Sequence, residues 1–219
     1  IETSVGTISG GDMSFDVNGH MNIPLVDDVL SMRVVGYTSS DGGYVDNVLG
    51  SSYSGSYDNA DIVDEDINTY DVTGGRVAVL WNISDDWSAL LSYVAENSEL
   101  EGSWDTDPAL GDYKITRFVD EMRDDDWYSS AFTLKGDLGF ADLSTTVTHY
   151  GRDIVYLWDN HSYSQYKDAY YGYGLYDTDY TRSNIFNDQE QQRDAAEIRL
   201  VSKDDSKLLW MAGAYWEDV

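Results

Sequence analysis

The chain has 219 residues and carries 41 acidic against 13 basic side chains, a formal charge of −28. That balance excludes nucleic-acid binding, because phosphate contacts need a basic face, and it opposes direct adhesion to anionic lipid headgroups. A hydrophobic content of 42% with 14% aromatics excludes a disordered acidic tail, and the absence of cysteine excludes disulfides and thiolate metal sites.

A first strand is predicted over Thr3 to Ile8, weakened by Gly6 and Gly10. Asp12 to Leu25 follows with period-two alternation: Met13, Phe15, Val17, Gly19 and Met21 share one face, and Ser14, Asp16, Asn18 and His20 the other. Pro24 falls just before a turn at Val26-Asp27-Asp28, where a missing amide is tolerated. The chain returns through Leu30 to Tyr37, with Leu30, Met32 and Val34 alternating with Ser31, Arg33 and Val35. A second hairpin pairs Gly75 to Ile83 with Trp87 to Ala95 across Ser84-Asp85-Asp86, and a third pairs Trp127 to Lys135 with Phe140 to Tyr150 across Gly136-Asp137-Leu138-Gly139. A fourth pairs Ala195 to Ser202 with Leu208 to Trp216 across Lys203-Asp204-Asp205-Ser206. Ile198 and Leu200 then share the apolar side, and Glu197 and Arg199 the polar one.

Between the hairpins lie long polar insertions, roughly Ser39 to Val72, Asn97 to Asp126 and Gly151 to Gln192. Short turns at one end and long loops at the other are the layout of a transmembrane β-barrel, with turns periplasmic and loops extracellular. No run approaches eighteen apolar residues, so no ordinary transmembrane helix is present, but barrel strands alternate and need none. Arg33, Arg76, Lys135, Glu197 and Arg199 fall in or near mid-strand, which a wet or plugged lumen accommodates better than a dry sandwich core. Trp81, Trp87, Phe140 and Trp210 lie within about four residues of the turns, as an interfacial girdle requires; cross-strand packing in a soluble sheet is the alternative. The fold class is therefore read as all-β, an antiparallel transmembrane β-barrel segment with short periplasmic turns and long extracellular loops. No linker divides residues 1–219, so one domain is expected, and the start at Ile1 without methionine or signal peptide reads as a mature or internal piece.

Candidate sites are sparse. No catalytic motif occurs, no enzyme activity is expected and no cofactor is implied. His20, His149 and His161 are scattered and give no metal site. The segment Asp58 to Asp71 lacks the sixth-position glycine and terminal glutamate of an EF-hand loop and reads as a solvated surface loop. Asp124, Asp125 and Asp126 suggest divalent ions bridging to lipopolysaccharide phosphates. Half of the 18 tyrosines lie between Tyr150 and Tyr180. Tyr156, Trp158, Tyr163, Tyr166 and Tyr170 are candidates for a ligand-binding vestibule, unless they pack across an extended extracellular hairpin. Arg33, Arg76, Glu197 and Arg199 are the lumen-facing charged candidates; they contact a plug or an anionic ligand, or pair among themselves.

Several stretches together resemble the barrel of a TonB-dependent outer-membrane receptor. NGHMNIPLVDDVLSMRVVGYTSSDGGYVDN, from Asn18 to Asn47, resembles that family's early barrel hairpin. Further matches are TGGRVAVLWNISDDWSALLSY from Thr73 to Tyr93, DWYSSAFTLKGDLGFADLSTTVTHYGRD from Asp126 to Asp153, and EIRLVSKDDSKLLWMAGAYWED from Glu197 to Asp218. The resemblance implies active uptake across the bacterial outer membrane, coupled to TonB through a plug domain that is not in this chain. The implied ligand is a scarce one, most typically an iron chelate of the ferric siderophore kind, and the implied surroundings are outer-membrane lipid and lipopolysaccharide. The plug, the TonB box and the closing aromatic strand of that family are missing, so a fragment of a larger receptor is expected. A passive porin, or a secreted acidic β-sandwich that binds carbohydrate, would be read from the same strands.

Overall fold

A computed structural model describes residues 1–171 and 181–219. Nine antiparallel strands form one sheet in which spatial order follows chain order. They are β1 (Glu2–Thr7), β2 (Met13–Val26), β3 (Leu30–Asp41), β5 (Tyr70–Ser84), β6 (Trp87–Glu101), β8 (Met122–Asp137), β9 (Ala141–Asp159), β10 (Asn184–Ser202) and β11 (Met211–Asp218). The interposed β4 (Asp46–Asn47) and β7 (Lys114–Ile115) pair only with each other, in parallel, and a helix α1 (His161–Tyr171) follows β9. β1 and β11 are the edges of the sheet.

The four turns fall where short acidic segments were predicted. Asp28 sits at a positive φ of 59°, which a short polar side chain tolerates, and Gly139 at 84°. The strands run several residues further than alternation indicates, so the connections shrink to residues 42–69, 102–121 and 160–183. Beyond the apolar zone both faces are polar, and paired backbone continues without the hydrophobic signature on which the prediction rests.

Register puts the apolar residues on one face. Met32 faces Val79, which faces Leu91, and the row continues through Phe132 and Val147 to Ala196. Along β5 this face runs from Ile83 through Trp81, Val79 and Val77 to Gly75, about nine residues, the span of a bilayer-crossing strand. One row higher it turns polar, through Thr38, Thr73, Asn97, Asp126, Asp153 and Glu190. No protein layer covers this face: Met21 is 62% exposed and Leu91 56%. Among the described residues the sandwich alternative has no sheet packed on this face to build it, the two-residue β4–β7 pair lying in the loops, and the architecture is a transmembrane barrel segment.

The opposite face carries most of the ion pairs and polar contacts, while His149 pairs with Asp194 at 2.7 Å on the outward face. Tyr37 Oη donates to Glu96 at 2.5 Å and Trp127 Nε1 to the same carboxylate at 3.2 Å. Arg152 Nε donates to Asp125 at 2.7 Å, Arg193 pairs with Glu217 at 3.0 Å, and Thr133 and Thr146 share a 3.0 Å contact.

Three glycines lie directly opposite aromatics whose rings cover them: Gly74 under Tyr37, Gly136 under Trp87 and Gly151 under Tyr128. A Cβ on Gly74 would stand 2.4 Å from the Tyr37 hydroxyl oxygen. Replacing Gly74 by valine is therefore expected to push Tyr37 off Glu96 and cost about 1–3 kcal/mol, read as a lowered unfolding midpoint; an unchanged midpoint would refute the glycine–aromatic seat.

Candidate functional site

At the loop end the three long connections fold into one cap, and most of the buried apolar side chains are there: Val45, Leu100, Ile115 and Phe118. Asparagines hold the first two loops together. Asn68 Oδ1 accepts from the amides of Tyr44 and Val45 at 2.7 and 2.8 Å. Asn47 Oδ1 accepts from the Arg117 amide at 2.8 Å, while its Nδ2 donates to the Ile62 carbonyl at 2.8 Å. Asn59 accepts from the Gly50 amide at 2.8 Å and donates to the carbonyls of Val48 and Arg117 at 3.0 and 2.9 Å. A loop with little regular structure must satisfy its buried backbone groups by side chains, and the primary amide, donor and acceptor at once, suits that task. The segment read as a solvated acidic loop is thus half buried by Asn59 and Asn68.

The third loop docks through His161, which is fully buried at the start of α1. Its ring lies 4.5 Å from that of Phe118 and 5.4 Å from that of Tyr57, and Tyr57 Oη is 2.7 Å from Nε2. Tyr57 also donates to the Thr181 carbonyl, and Arg182 Nη1 reaches Asp61 at 2.8 Å. Asp159, the last residue of β9, accepts from the amides of Phe118, Val119 and His161, and its own amide donates to Glu121 at 3.0 Å.

Within the cap lies a cavity of about 460 Å³ with an aliphatic part from Ile62, Ile67 and Val119. Asp61, Asp64, Glu101, Asp120 and Glu121 line it, with Arg117 as the single cation in the lining. The guanidinium is already engaged by Glu121 at 3.1 Å, Asp105 at 2.9 Å and Ser103 at 3.1 Å. Burial pushes the Glu121 carboxyl up from the usual range, with Arg117 opposing. Such a cavity suits ligand groups that donate hydrogen bonds or carry positive charge, and it opposes anions. Among the described residues no three acidic, histidine or cysteine side chains converge as a metal site.

The predicted vestibule residues divide into two groups. Tyr156 and Trp158 share the polar face of β9, half buried, with ring centroids 6.1 Å apart. Tyr163, Tyr166 and Tyr170 lie exposed on α1, at 56%, 57% and 68%, and none of the five lines the cavity. The extended hairpin weighed as the alternative to a vestibule does not form over His161–Tyr171, which is a helix seated by Asn160, whose carbonyl accepts from the Ser164 amide at 3.0 Å. Tyr166 and Tyr170 stack at 5.6 Å, and Lys167 stands 4.4 Å over Tyr171. Tyr173, Tyr176 and Tyr180 lie outside the described residues. Arg33, Arg76, Glu197 and Arg199 fall on the polar face, where Arg199 and Glu197 pair with each other. Arg117, Glu121, Asp159 and the three asparagines were not singled out by the sequence, because no periodicity or motif marks residues that act through loop tertiary contacts.

No family model matches the chain, and no curated protein does. Among solved structures, the siderophore receptor PirA from Acinetobacter baumannii is similar, with a TM-score of 0.57 and 16% identity. The likeness covers 98% of this chain and 29% of that receptor, so the chain spans under a third of its length. At this identity it establishes the fold alone, a portion of an antiparallel β-barrel.

Two measurements test the cap. Asn59→Ala removes the partner of the Gly50 amide and of the Val48 carbonyl and leaves the Arg117 carbonyl to Asn47 alone; it is expected to cost about 1–3 kcal/mol per orphaned group, seen as faster hydrogen exchange in both loops. His161 gives a pH signature. Burial lowers its proton affinity, Arg182 adds to that and Asp159 opposes. The cap is then at full stability above the ordinary imidazole value of about 6.5 and loses stability as the pH falls through the lowered folded value. Amide protection of α1 should drop over that range, and His161→Phe should abolish the drop; equal pH dependence in both proteins would exclude His161 as its source.

Proposed function

We propose that this chain is part of the barrel of an outer-membrane receptor that captures a scarce ligand at its cap and passes it inward by TonB-coupled transport. The observation that carries this reading is the division of one sheet into a bilayer-long apolar face and an ion-paired polar face, with the long loops folded into a body at one end. Likeness to a siderophore receptor supports it at the level of fold. On this reading residues 1–219 are a partial barrel domain. Its two edge strands carry unpaired backbone groups, each costing several kcal/mol in lipid, and strands outside this chain close them. A plug, also outside this chain, gates passage, and TonB acts on the plug.

The ligand class that fits the family resemblance is a ferric siderophore-type iron complex. The acidic cavity favours those whose outer surface is neutral or cationic and rich in donors. The exposed face of Tyr163, Tyr166 and Tyr170 serves as first contact, stacking on planar or sugar-like groups before the ligand reaches the cavity. Polar-face Arg33, Arg76, Arg199 and Glu197 line the path below. On the outward face, Asp126 stands directly opposite Asp153, and Glu99 opposite Asp124, just above the apolar zone. Contact there with lipopolysaccharide phosphates requires divalent cations between the two sets of anions. A passive porin is the weaker reading, because a folded cap buries Leu100 and Ser98 on the polar face at the loop end.

Uptake of a labelled ferric siderophore by iron-starved cells tests the proposal: it should require both this gene and an intact TonB. Unaltered uptake without either would refute transport. Replacing Tyr163, Tyr166 and Tyr170 together by alanine should slow uptake several-fold at low ligand concentration and little at saturation, in line with about 0.5–1.5 kcal/mol for an aromatic contact. Chelation of divalent ions should lower the unfolding midpoint of the membrane-embedded protein; an unchanged midpoint counts against lipopolysaccharide bridging.

A further inference from the structure

Among the described residues four buried side-chain atoms lack a hydrogen-bond partner, and two of them, Arg123 Nε and Asn187 Nδ2, stand in one row of the sheet. Arg123 on β8 lies directly opposite Tyr156 on β9, and Tyr156 directly opposite Asn187 on β10. All three belong to the polar face at its loop end, in the same row as Leu100. Neighbouring strands are about 4.8 Å apart, so the two donors flank Tyr156 from either side. Trp158, one row higher on β9, extends this aromatic surface, its ring centroid 6.1 Å from that of Tyr156.

Neither donor has an acceptor to hand. Asp125, the next residue of β8 on the same face, is taken by Arg152, whose Nε donates to it at 2.7 Å. Arg117, Arg182, Arg193 and Arg199 are ion-paired as well. Arg33 and Arg76 lack a carboxylate too, but they are exposed and water serves them. Arg123 is half buried and stands alone in a chain with 41 acidic residues. Gln189 Nε2 donates to Asn187 Oδ1 at 3.2 Å, which leaves Nδ2 as the free end of that amide. A buried donor without an acceptor costs stability, and a group that carries such a cost in the free protein is explained by what it binds.

The three residues specify the chemistry of the acceptor. Water satisfies an amide but leaves a partly desolvated guanidinium charge unbalanced. A carboxylate balances that charge and matches the planar fork of arginine. Tyr156 and Trp158 add a flat apolar bed, which an inorganic anion would not use and on which an aromatic ring stacks. Arg123 and Asn187 are each half buried as whole side chains, so rotation of their end groups presents the donors to the lumen. We infer that Arg123 and Asn187 hold a carboxylate of an aromatic organic anion whose ring lies on Tyr156 and Trp158. This rests on the reading of the polar face as the lumen wall of a receptor and adds the ligand group that the wall accepts. The acidic cavity of the cap meets the donor-bearing side of the same ligand.

The probe is para-fluorobenzoate, followed by its fluorine NMR linewidth with the full-length protein in detergent and with empty micelles. Saturable broadening that unlabelled benzoate reverses is expected, while para-fluorobenzamide, alike in shape and uncharged, stays sharp. Arg123→Met should weaken binding about tenfold or more, and Asn187→Leu several-fold. Without ligand, Arg123→Met should leave the unfolding midpoint unchanged or raise it, because it removes an unpaired buried donor. No broadening above the micelle level, equal binding of the amide, or parent-like affinity in Arg123→Met would overturn the inference. So would a lowered midpoint of ligand-free Arg123→Met, which would make the guanidinium a structural group with a partner in the folded protein. Uptake that does not need TonB would sink the transport reading alone, since the fluorine titration decides the site without transport.

Discussion

Every feature of this structure depends on one apolar sheet face that meets no protein. Nine strands pair edge to edge, and no second layer among the described residues lies against Met21, Val77, Leu91 or Phe132. In water such a face would associate or collapse. In lipid it is matched, provided that every backbone group is paired, and the strict chain-order meander supplies that pairing for all but the two edges. The same requirement explains the glycines under Tyr37, Trp87 and Tyr128. Rings laid flat over a neighbouring strand cover backbone that a pleated sheet would otherwise expose.

The transmembrane half of the molecule was legible because the bilayer imposes period two on it. Met13, Phe15, Val17 and Met21 announce a strand, and their partners across β3 and β5 fall on the predicted side. Legibility stops where the bilayer does. Above Thr38 and Thr73 both faces are wet, so β3, β5, β6, β8, β9 and β10 run on unannounced and the predicted loops come out too long. The cap was opaque for another reason. Asn47, Asn59 and Asn68 act through partners distant along the chain, and nothing local distinguishes a hub asparagine from a loop asparagine. The tyrosine-rich stretch misled in a specific way: tyrosine suits strands, yet Tyr163, Tyr166 and Tyr170 recur at helical spacing, and the helix is the better fit to i, i+3 and i+7.

Electrostatics give the molecule a direction that the fold alone does not. Carboxylates crowd the cap and its cavity, while the polar face nearer the turns carries Arg33, Arg76 and Lys135 together with Asp137, which Lys203 engages at 2.7 Å. The two ends of that face therefore present different charge, acidic above and mixed below.

β9 joins the two zones. Its last residue, Asp159, takes the amides of Phe118 and Val119 from the second loop and of His161 from α1, and returns its own amide to Glu121. Glu121 also holds Arg117 and lines the cavity. A ligand group that competes for Glu121 therefore acts on three things at once: the Arg117 side chain, the end of β9 and the seat of α1. From Asp159 downward β9 is in unbroken register with β10 for nineteen residues, to Ala141 beside the turn. The Glu121–Asp159 joint is thus where the hydrogen bonds of the cavity lining meet those of a long barrel strand.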